Sequence, residues 1–341
     1  MVKLTDDVHP SKAVHLSFLG SCPNDHFNQF GDLSHFKGAI LNHTKAVELI
    51  YDGHPRKADH LSNLGISQHS CFNQLGDLSD LHSAILNHIK AIELTDDGHP
   101  SKVDCLSNLG ISQHSHFNRL GDLSNLHSAI LNHTKAIELT DYGHPKKADH
   151  LSNLGISQHG RFSRLGDLSN LHSAILNHTK AIELTDDGHP GKAGYFSNLG
   201  ISQYSCFEYI GLPSDLENAI SNQRKAVELT NYKHPMYLMN FGTSLAAHFG
   251  ILGDHSALEN AISIEETAIK LTDDGNLDKP RYLAASLGMD LRQHFVATGC
   301  LSDLEHAILN IGKAVALMDD GHQDKLPDLL NLSSNQITLF G

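Results

Sequence analysis

The sequence predicts an all-α solenoid, a right-handed stack of helix–turn–helix hairpins. His-Pro pairs begin at residues 9, 54, 99, 144, 189 and 234, which gives a period of 45 residues over five intervals. Apolar residues within each period recur at helical spacing, and no segment gives a strand signal. A period of this length is typical of arrays whose repeats bury their apolar faces only against neighbours. We therefore predict one array over residues 1–341, with about seven repeats of 42–46 residues, partial repeats at both ends and no separate catalytic domain.

Each repeat is expected to consist of two helices, A and B, separated by short turns rich in helix breakers. Helix A of the third repeat begins near His99-Pro100, because proline is tolerated in the first helical turn. Gly121 is expected to end that helix in a left-handed conformation, and Asp122 or Ser124 is expected to cap helix B. The predicted core stripes are Leu106, Leu109, Gly110, Phe117 and Leu120 on helix A, and Leu126, Ala129, Ile130, His133 and Ile137 on helix B.

The same capping signature recurs, and the outer repeats depart from the pattern. An Asp-Leu-Ser tripeptide starts at residues 32, 77, 122 and 167, so four successive B helices are expected to begin with the same cap. Pro23 is expected to kink or end helix A of the first repeat. The eighth repeat begins after Gly321-His322 and contains only its first helix.

The charge balance narrows the class of partner. The chain has 25 basic and 39 acidic residues, which gives a net charge of −14. Nucleic acids and anionic membranes require a basic surface, so neither is expected as a partner. No apolar run reaches the length of about 18 residues that a membrane helix needs. Five cysteines without paired spacing indicate small buried side chains in a reducing, cytoplasmic compartment.

The hairpin resembles the tetratricopeptide repeat (TPR), whose pattern is Trp-x2-Leu-Gly-x2-Tyr, then Ala-x3-Phe, then Pro. In the third repeat Leu109-Gly110 and Ala129 match this pattern. Leu106 stands at the tryptophan position, Gln113 at the tyrosine position and His133 at the phenylalanine position. The resemblance implies a superhelix whose concave face binds a protein or peptide.

The repeat is longer than the usual tetratricopeptide length of about 34 residues. This longer form, with Gly-Asp-Leu between the helices and Asp-Asp-Gly-His-Pro after them, resembles arrays in large fungal proteins. In those proteins the array often precedes a caspase-like CHAT protease domain. The resemblance therefore implies an alternative function: a sensor or regulatory array for a protease or NTPase-type domain that lies outside this chain.

One asparagine per helix A stands two residues before the glycine of the hairpin. An amide can donate to and accept from the backbone of an extended peptide, so a row of them would capture peptides without reading their sequence. Some tetratricopeptide proteins carry a similar row on the concave face. The other interpretation is that the amides cap or cross-link neighbouring helices. The candidate peptide-binding asparagines are Asn63, Asn108, Asn153, Asn198 and Asn240.

A second row of candidate peptide-binding residues, His69, His114 and His159, stands four residues after the same glycines. We expect these imidazoles to lie beside the asparagines and to become charged as the pH falls through about 6. The other interpretation is a solvated polar surface. No repeat combines a pair of histidines four residues apart with a carboxylate, so no metal site is expected.

The sequence gives no sign of catalysis. It contains neither a Gly-x4-Gly-Lys phosphate loop nor a Gly-x-Ser-x-Gly elbow. Ser107 and His114 belong to a pattern too repetitive for a dedicated nucleophile and base. The chain is therefore not expected to be an enzyme or to need a cofactor, and its predicted function is to hold a partner peptide or helix along the concave face.

Four glutamines stand where the tetratricopeptide family usually buries an aromatic or aliphatic side chain. A buried amide without partners costs about 1–3 kcal/mol. Each glutamine is therefore expected either to form a hydrogen bond across its hairpin or to face solvent. The four are Gln68, Gln113, Gln158 and Gln203.

Overall fold

The structure is a computed structural model that describes residues 11–21, 34–276, 278–319 and 324–340. Every regular element in these residues is a helix, which confirms the predicted all-α class and the succession of helical hairpins. The helices are α1 Lys12–Ser21, α2 Ser34–Glu48, α3 Lys57–Leu75, α4 Leu78–Glu93, α5 Lys102–Leu120, α6 Leu123–Glu138, α7 Lys147–Leu165, α8 Leu168–Glu183, α9 Lys192–Ile210, α10 Pro213–Leu229, α11 Pro235–Leu252, α12 His255–Lys270, α13 over residues 279–298, α14 Leu301–Leu317 and α15 Lys325–Phe340.

Helix α13 is not uniform. It starts as an α-helical turn at Lys279–Arg281, continues as a π-helix over Tyr282–Gly288 and returns to α-helix over Met289–Thr298. The wider turn rotates the residues that follow it relative to a regular helix. Such stretches are rare in proteins and occur frequently at functional sites.

The chain forms two compact parts, an N-terminal part that ends at Ala181 and a C-terminal part that begins at Ile182, within α8. Inside each part, the A helix of a repeat packs on its own B helix, and that B helix packs on the A helix of the next repeat. Repeats two and three are α3–α4 and α5–α6 in the N-terminal part. Repeats five to seven are α9–α10, α11–α12 and α13–α14 in the C-terminal part.

The predicted turn between helices A and B is confirmed. Gly121 ends α5 with a φ of 73°, and Asp122 caps α6 by accepting a hydrogen bond from the Ser124 N–H at 2.9 Å. The copy of this cap at residue 32 and the predicted effect of Pro23 lie outside the described residues. The other positive-φ glycines that end A helices are Gly76, Gly166, Gly211, Gly253 and Gly299.

The core stripe is correct except at Leu120, Ile130 and Ile137, of which Ile130 is only half-buried. Leu106 and Leu109 are each 5% exposed, as expected for core side chains. Leu120, in contrast, is 52% exposed. It is the last residue of α5, where helical spacing continues but no packed neighbour covers the side chain. On helix B the buried side chain of the last turn is Ala136, and Ile137, which the spacing predicts to be core, is only half-buried.

The glycine of each A helix makes room for a side chain of helix B. A Cβ atom on Gly110 would lie 2.6 Å from the Cε1 atom of His133, far inside van der Waals contact. His133 is fully buried by this packing. Identical contacts form between Gly65 and His88 in repeat two and between Gly155 and His178 in repeat four. His133, which stands at the phenylalanine position of the tetratricopeptide pattern, is therefore a core residue, as the resemblance implies.

Two polar residues near the His-Pro pair form bonds that sequence reasoning missed, and the second of them joins successive repeats. The Nδ1 atom of His99 accepts a hydrogen bond from the Ser101 N–H at 3.1 Å. Lys102 Nζ then reaches back to the end of α4 and donates to the carbonyl oxygens of Ile92 at 2.9 Å and Thr95 at 2.7 Å. The Thr95 carbonyl lies beyond the last turn of α4, where helix ends leave carbonyls without intrahelical donors, and the Ile92 carbonyl also accepts from the Thr95 N–H at 3.2 Å. The lysines that cap a preceding B helix in this way are Lys57, Lys102, Lys147, Lys192, Lys279 and Lys325.

Candidate functional site

The predicted asparagine row lies half-buried on the A helices, at one position per repeat. Where the side chains are bonded, the amide nitrogen cross-links neighbouring A helices by donating to a buried serine of the preceding repeat. This donation fixes the orientation of the amide. The bonded pairs are Asn63 Nδ2 to Ser17 Oγ at 3.1 Å, Asn108 Nδ2 to Ser62 Oγ at 3.3 Å and, within the C-terminal part, Asn240 Nδ2 to Ser197 Oγ at 3.4 Å.

In the N-terminal part, Asn63 and Asn108 line a surface cavity of about 480 Å³. The Oδ1 atoms of these two asparagines accept no hydrogen bond from any described residue. The charged groups at the rim are largely paired: Lys146 Nζ donates to a carboxylate oxygen of Asp104 at 2.8 Å, and Ser101 Oγ donates to Asp59. The cavity therefore offers unused neutral acceptors with few unpaired charges.

The histidine row is half-buried on the same helices. His69 Nε2 lies 2.9 Å from the Oγ atom of Ser115 in the next repeat, which is a second cross-link between A helices. His114 and His159 line a smaller cavity of about 360 Å³, together with Phe117 and other side chains. Of the predicted residues, Asn63 and Asn108 line one cavity and His114 and His159 line the other, whereas His69, Asn153, Asn198 and Asn240 line neither.

The expected charging of these histidines near pH 6 is wrong. Burial lowers the pKa of His69 and of His159 below its usual value. Burial, with the proximity of His159, lowers the pKa of His114 to about 4. The exposure of these imidazoles is not visible in the sequence, and their burial keeps them neutral at pH values where a solvated histidine would already be charged.

The glutamine prediction is confirmed in all four repeats. Gln113 Oε1 accepts a hydrogen bond from Asn132 Nδ2 at 2.8 Å, across the hairpin from α5 to α6. The identical bond length in each copy shows that one repeat geometry is kept in both parts of the chain. The other three bonds are Asn87 to Gln68, Asn177 to Gln158 and Asn222 to Gln203, each at 2.8 Å.

A second polar feature, in the C-terminal part, was missed. Glu265 stands in repeat six at the register of the buried histidines, and a Cβ atom on Gly242 would lie 2.6 Å from its Cγ atom. Its carboxyl group is fully buried and lies beside that of Asp290. The sequence does show an acidic residue at a position that is core in the other repeats. From the sequence alone, however, this cannot be told apart from ordinary divergence between repeats.

Comparison with known proteins identifies the fold. No protein-family model matches the chain, and no curated protein matches it. A solved structure that does match is the C-terminal part of a TPR repeat-containing protein from Cytophaga hutchinsonii, with a TM-score of 0.50, 14% identity and coverage of 93% of this chain and 99% of that chain. The chain has a tetratricopeptide-like fold.

Two further solved structures match this tetratricopeptide-like chain. PilF from Pseudomonas aeruginosa has a TM-score of 0.52 and 16% identity, with coverage of 80% of this chain and 99% of that chain. The Cut9–Hcn1 hetero-tetramer of APC/C has a TM-score of 0.57 and 14% identity, with coverage of 96% of this chain and 56% of that chain. At these identities the similarity concerns the fold alone.

Two properties of the tetratricopeptide-like chain bear on the class of ligand. Of the helices that the structure describes, none combines the length and the apolar character needed to cross a membrane. Within the same residues, no three His, Cys, Asp or Glu side chains are grouped as metal ligands would be.

Proposed function

We propose that the chain is a protein-interaction scaffold that binds an extended peptide or a helix of a partner protein along the asparagine row. The observation that carries the proposal is the cavity of about 480 Å³ in the N-terminal part, where Asn63 and Asn108 lie side by side. Asn153 stands at the same register in the N-terminal part, and Asn198 and Asn240 stand at that register in the C-terminal part. His69, His114 and His159 stand six residues after Asn63, Asn108 and Asn153.

The fixed amides support recognition of a peptide backbone. Because Ser17 and Ser62 hold the amide nitrogens of Asn63 and Asn108, little side-chain entropy remains to be lost when the Oδ1 atoms accept a ligand's N–H groups. Each such bond contributes about 1 kcal/mol. Neutral acceptors do not read side chains, so we expect several unrelated peptide sequences to bind with comparable affinity and with little dependence on salt.

The proposal is tested by selecting binders for the full chain from a displayed library of random peptides. The triple variant Asn63→Ala, Asn108→Ala and Asn153→Ala should bind the selected peptides about tenfold or more weakly, with unchanged helicity. Unchanged affinity would contradict the role of the row.

Two controls separate binding from stability. The variant Ser62→Ala removes the cross-link to Asn108 but leaves the amide, so it should weaken binding less than Asn108→Ala. The double variant Asn125→Ala and Asn170→Ala changes two asparagines at the starts of B helices, where each bonds the cap aspartate of its own helix. It should leave peptide binding unchanged.

The alternative function, a sensor or regulatory array of a larger fungal CHAT-type effector, uses the same surface for a different purpose. In that case the row would hold an activator or a segment of the catalytic domain, and the protein would act in the cytoplasm. A protease or nucleotide-binding motif in the coding sequence next to this segment would favour the effector. Binding of the selected peptides by the full chain alone would favour the scaffold.

A further inference from the structure

The C-terminal part contains a larger cavity with a different chemical character. It has a volume of about 700 Å³ and lies among α9, α11, α12 and α13, a size typical of sites for small ligands. Much of its lining is apolar or small, including Ala246, Ala285, Met289 and Val296. Its titratable and charged lining groups are Tyr204, Glu265, Arg281, Asp290 and Arg292.

Two buried carboxyl groups in this lining interact with each other and have no basic partner in the part of the chain that the structure describes. Glu265 is 0% exposed and Asp290 is 8% exposed. Neither oxygen of Glu265 nor the Oδ2 atom of Asp290 has a hydrogen-bond partner among the described residues. The guanidinium of Arg281 pairs with Asp278 at 3.7 Å rather than with either of them. Burial of two adjacent carboxyl groups disfavours their charged forms, so the pair holds protons in the folded chain and would ionise more readily with a cation between them.

The fold itself does not require these carboxyl groups. At the register of Glu265, repeat three has His133 and repeat five has Gln223, and both are fully buried against a glycine as Glu265 is. At the register of Asp290, two residues after the glycine, repeat six has the buried Ser244. The two carboxyls therefore meet only where α12 packs on α13, immediately after the π-helix of α13 ends at Gly288.

We propose that this cavity binds a primary ammonium group on an unbranched aliphatic stem, with the ammonium placed between Glu265 and Asp290. An ammonium has three donors, and it would donate to carboxyl oxygens that receive no hydrogen bond from any basic group of the described residues. The stem would pack on the apolar lining, with Ala246 and Met289 on opposite helices. This proposal does not depend on the asparagine row, which forms a separate cavity.

The pKa values predict how binding changes with pH. Burial raises the pKa of Asp290 to about 7, and burial together with the neighbouring Asp290 raises the pKa of Glu265 well above its usual value. The empty site therefore holds protons that an ammonium would displace. Tyr204, whose pKa burial raises to about 12, and the two arginines do not change charge near neutrality. Affinity should therefore rise from about pH 6 to about pH 8, with release of protons on binding.

The test uses the full chain and pentylamine, measured by isothermal titration calorimetry in buffers of different ionisation enthalpy. Pentylamine should bind with a dissociation constant below about 1 mM and release protons, and 1-pentanol, which has the same stem without the charge, should not bind. A lysine-containing tripeptide with blocked ends distinguishes the source of the group. Tighter binding of the tripeptide than of pentylamine assigns the site to a partner's lysine, and the reverse assigns it to a free amine.

The chain itself supplies variants that should fold. Glu265→Gln introduces the residue that Gln223 provides at the same register, and Asp290→Ser introduces the residue that Ser244 provides. Each should weaken pentylamine binding about tenfold or more and should not lower the melting temperature, because each removes a buried titratable group. Glu266→Gln, one residue away and bonded to Lys270 on the surface, should bind pentylamine as the wild type does. Absence of pentylamine binding to the wild type, or unchanged binding to Glu265→Gln, would overturn the proposal.

Discussion

The two parts of the chain fill the same core position with different chemistry. In the N-terminal part, the side chain that packs on the glycine of helix A is an imidazole in every described repeat. In the C-terminal part it is the amide of Gln223, the carboxyl of Glu265 or the alkyl group of Ile311. All are nearly or fully buried. The position therefore selects for a side chain of suitable size opposite a glycine, and its polarity is free to differ.

That freedom gives the two parts opposite responses to pH. Burial lowers the pKa of His88, His133 and His178 to about 3, so these imidazoles are neutral in the folded chain. In the C-terminal part, burial raises the pKa of both Glu265 and Asp290. The buried histidines of the N-terminal part therefore stay neutral on folding at pH values where the unfolded chain would protonate them. The buried carboxyls of the C-terminal part stay protonated at pH values where the unfolded chain would release the proton.

The largest expected effect comes from removing the space opposite His133. Gly110→Leu places a branched side chain where even a Cβ atom would lie 2.6 Å from the ring. We expect a loss of at least about 3 kcal/mol, confined to repeats two to four because solenoid repeats contact only their neighbours. Hydrogen exchange of the full chain should show lost protection in α3 to α8 and retained protection in α12 to α14.

A paired substitution identifies the cause. Gly110→Ala alone should be destabilising, and Gly110→Ala with His133→Ala should recover most of the loss, because the shortened side chain vacates the space. Uniform loss of protection along the whole chain in Gly110→Leu would show that the two parts do not respond separately.

The next effect is the opposite pH response. For each buried histidine the pKa is lower in the folded chain than in the unfolded chain, so its contribution is complete above about pH 6.5 and falls by about 1.4 kcal/mol per pH unit below that. For Glu265 and Asp290 the folded pKa is raised, so their contribution is complete below the unfolded pKa of about 4 and is lost as the pH rises from there through the folded value, about 7 for Asp290. Hydrogen exchange, corrected for intrinsic rates, should show weaker protection of α3 to α7 at about pH 5 and weaker protection of α12 and α13 at about pH 8.

Exchanging residues between the parts tests the assignment. His133→Gln, which introduces the residue that Gln223 provides at the same register, should cost little at neutral pH and should remove part of the acid sensitivity of repeat three. Glu265→Gln should remove part of the loss of stability that repeat six shows as the pH rises. Parallel pH profiles of the two parts would contradict the comparison.

The sequence predicted the structure correctly where a residue's own hydrogen-bonding groups or backbone conformation determine its role. Gln113 departs from an apolar family position, so its need for a partner predicted the bond to Asn132. Gly121 and Asp122 have local backbone roles, which made the turn predictable. The sequence did not predict properties that depend on packing against neighbouring helices. Leu120 continues the helical stripe but lies beyond the packed surface. The pKa of His114 depends on its burial, which residue spacing does not reveal.

Of the two candidate cavities, only the one in the N-terminal part contains residues that the sequence singles out, for the same reason. The asparagine and histidine rows are visible because repetition marks them. Each of the two carboxyls occurs once at its register. The register of Glu265 holds His, Gln or Ile in other described repeats, and only the packing of α12 on α13 shows that Glu265 and Asp290 meet. The role of Lys102 was missed although the lysine recurs, because its partners are backbone carbonyls, which every residue has and which the sequence therefore does not mark.

A smaller effect is expected where the two parts are alike. Lys102 in the N-terminal part and Lys279 in the C-terminal part both donate to the carbonyl of a threonine at the end of the preceding B helix. Lys102→Met and Lys279→Met should each cost about 1.5 kcal/mol in urea denaturation. Lys135→Met, whose ammonium pairs with Asp97 at 3.1 Å and is 43% exposed, should cost less than about 0.5 kcal/mol. Unequal losses for Lys102 and Lys279 would show that the caps also differ between the parts.

The smallest expected effect concerns the bond between Gln113 and Asn132. Repeat six has Leu245 and Ile264 at these two registers, and Ile264 packs on the core cluster that contains Leu245. Gln113→Leu or Asn132→Ile alone should cost about 1 kcal/mol, because each leaves an amide with no partner at the hairpin. The double variant restores a matched pair, so its free energy of unfolding should lie within about 0.5 kcal/mol of the wild type, as a double-mutant cycle would measure. Simple addition of the two single losses would mean that the polar pair of the N-terminal part and the apolar pair of repeat six are not interchangeable.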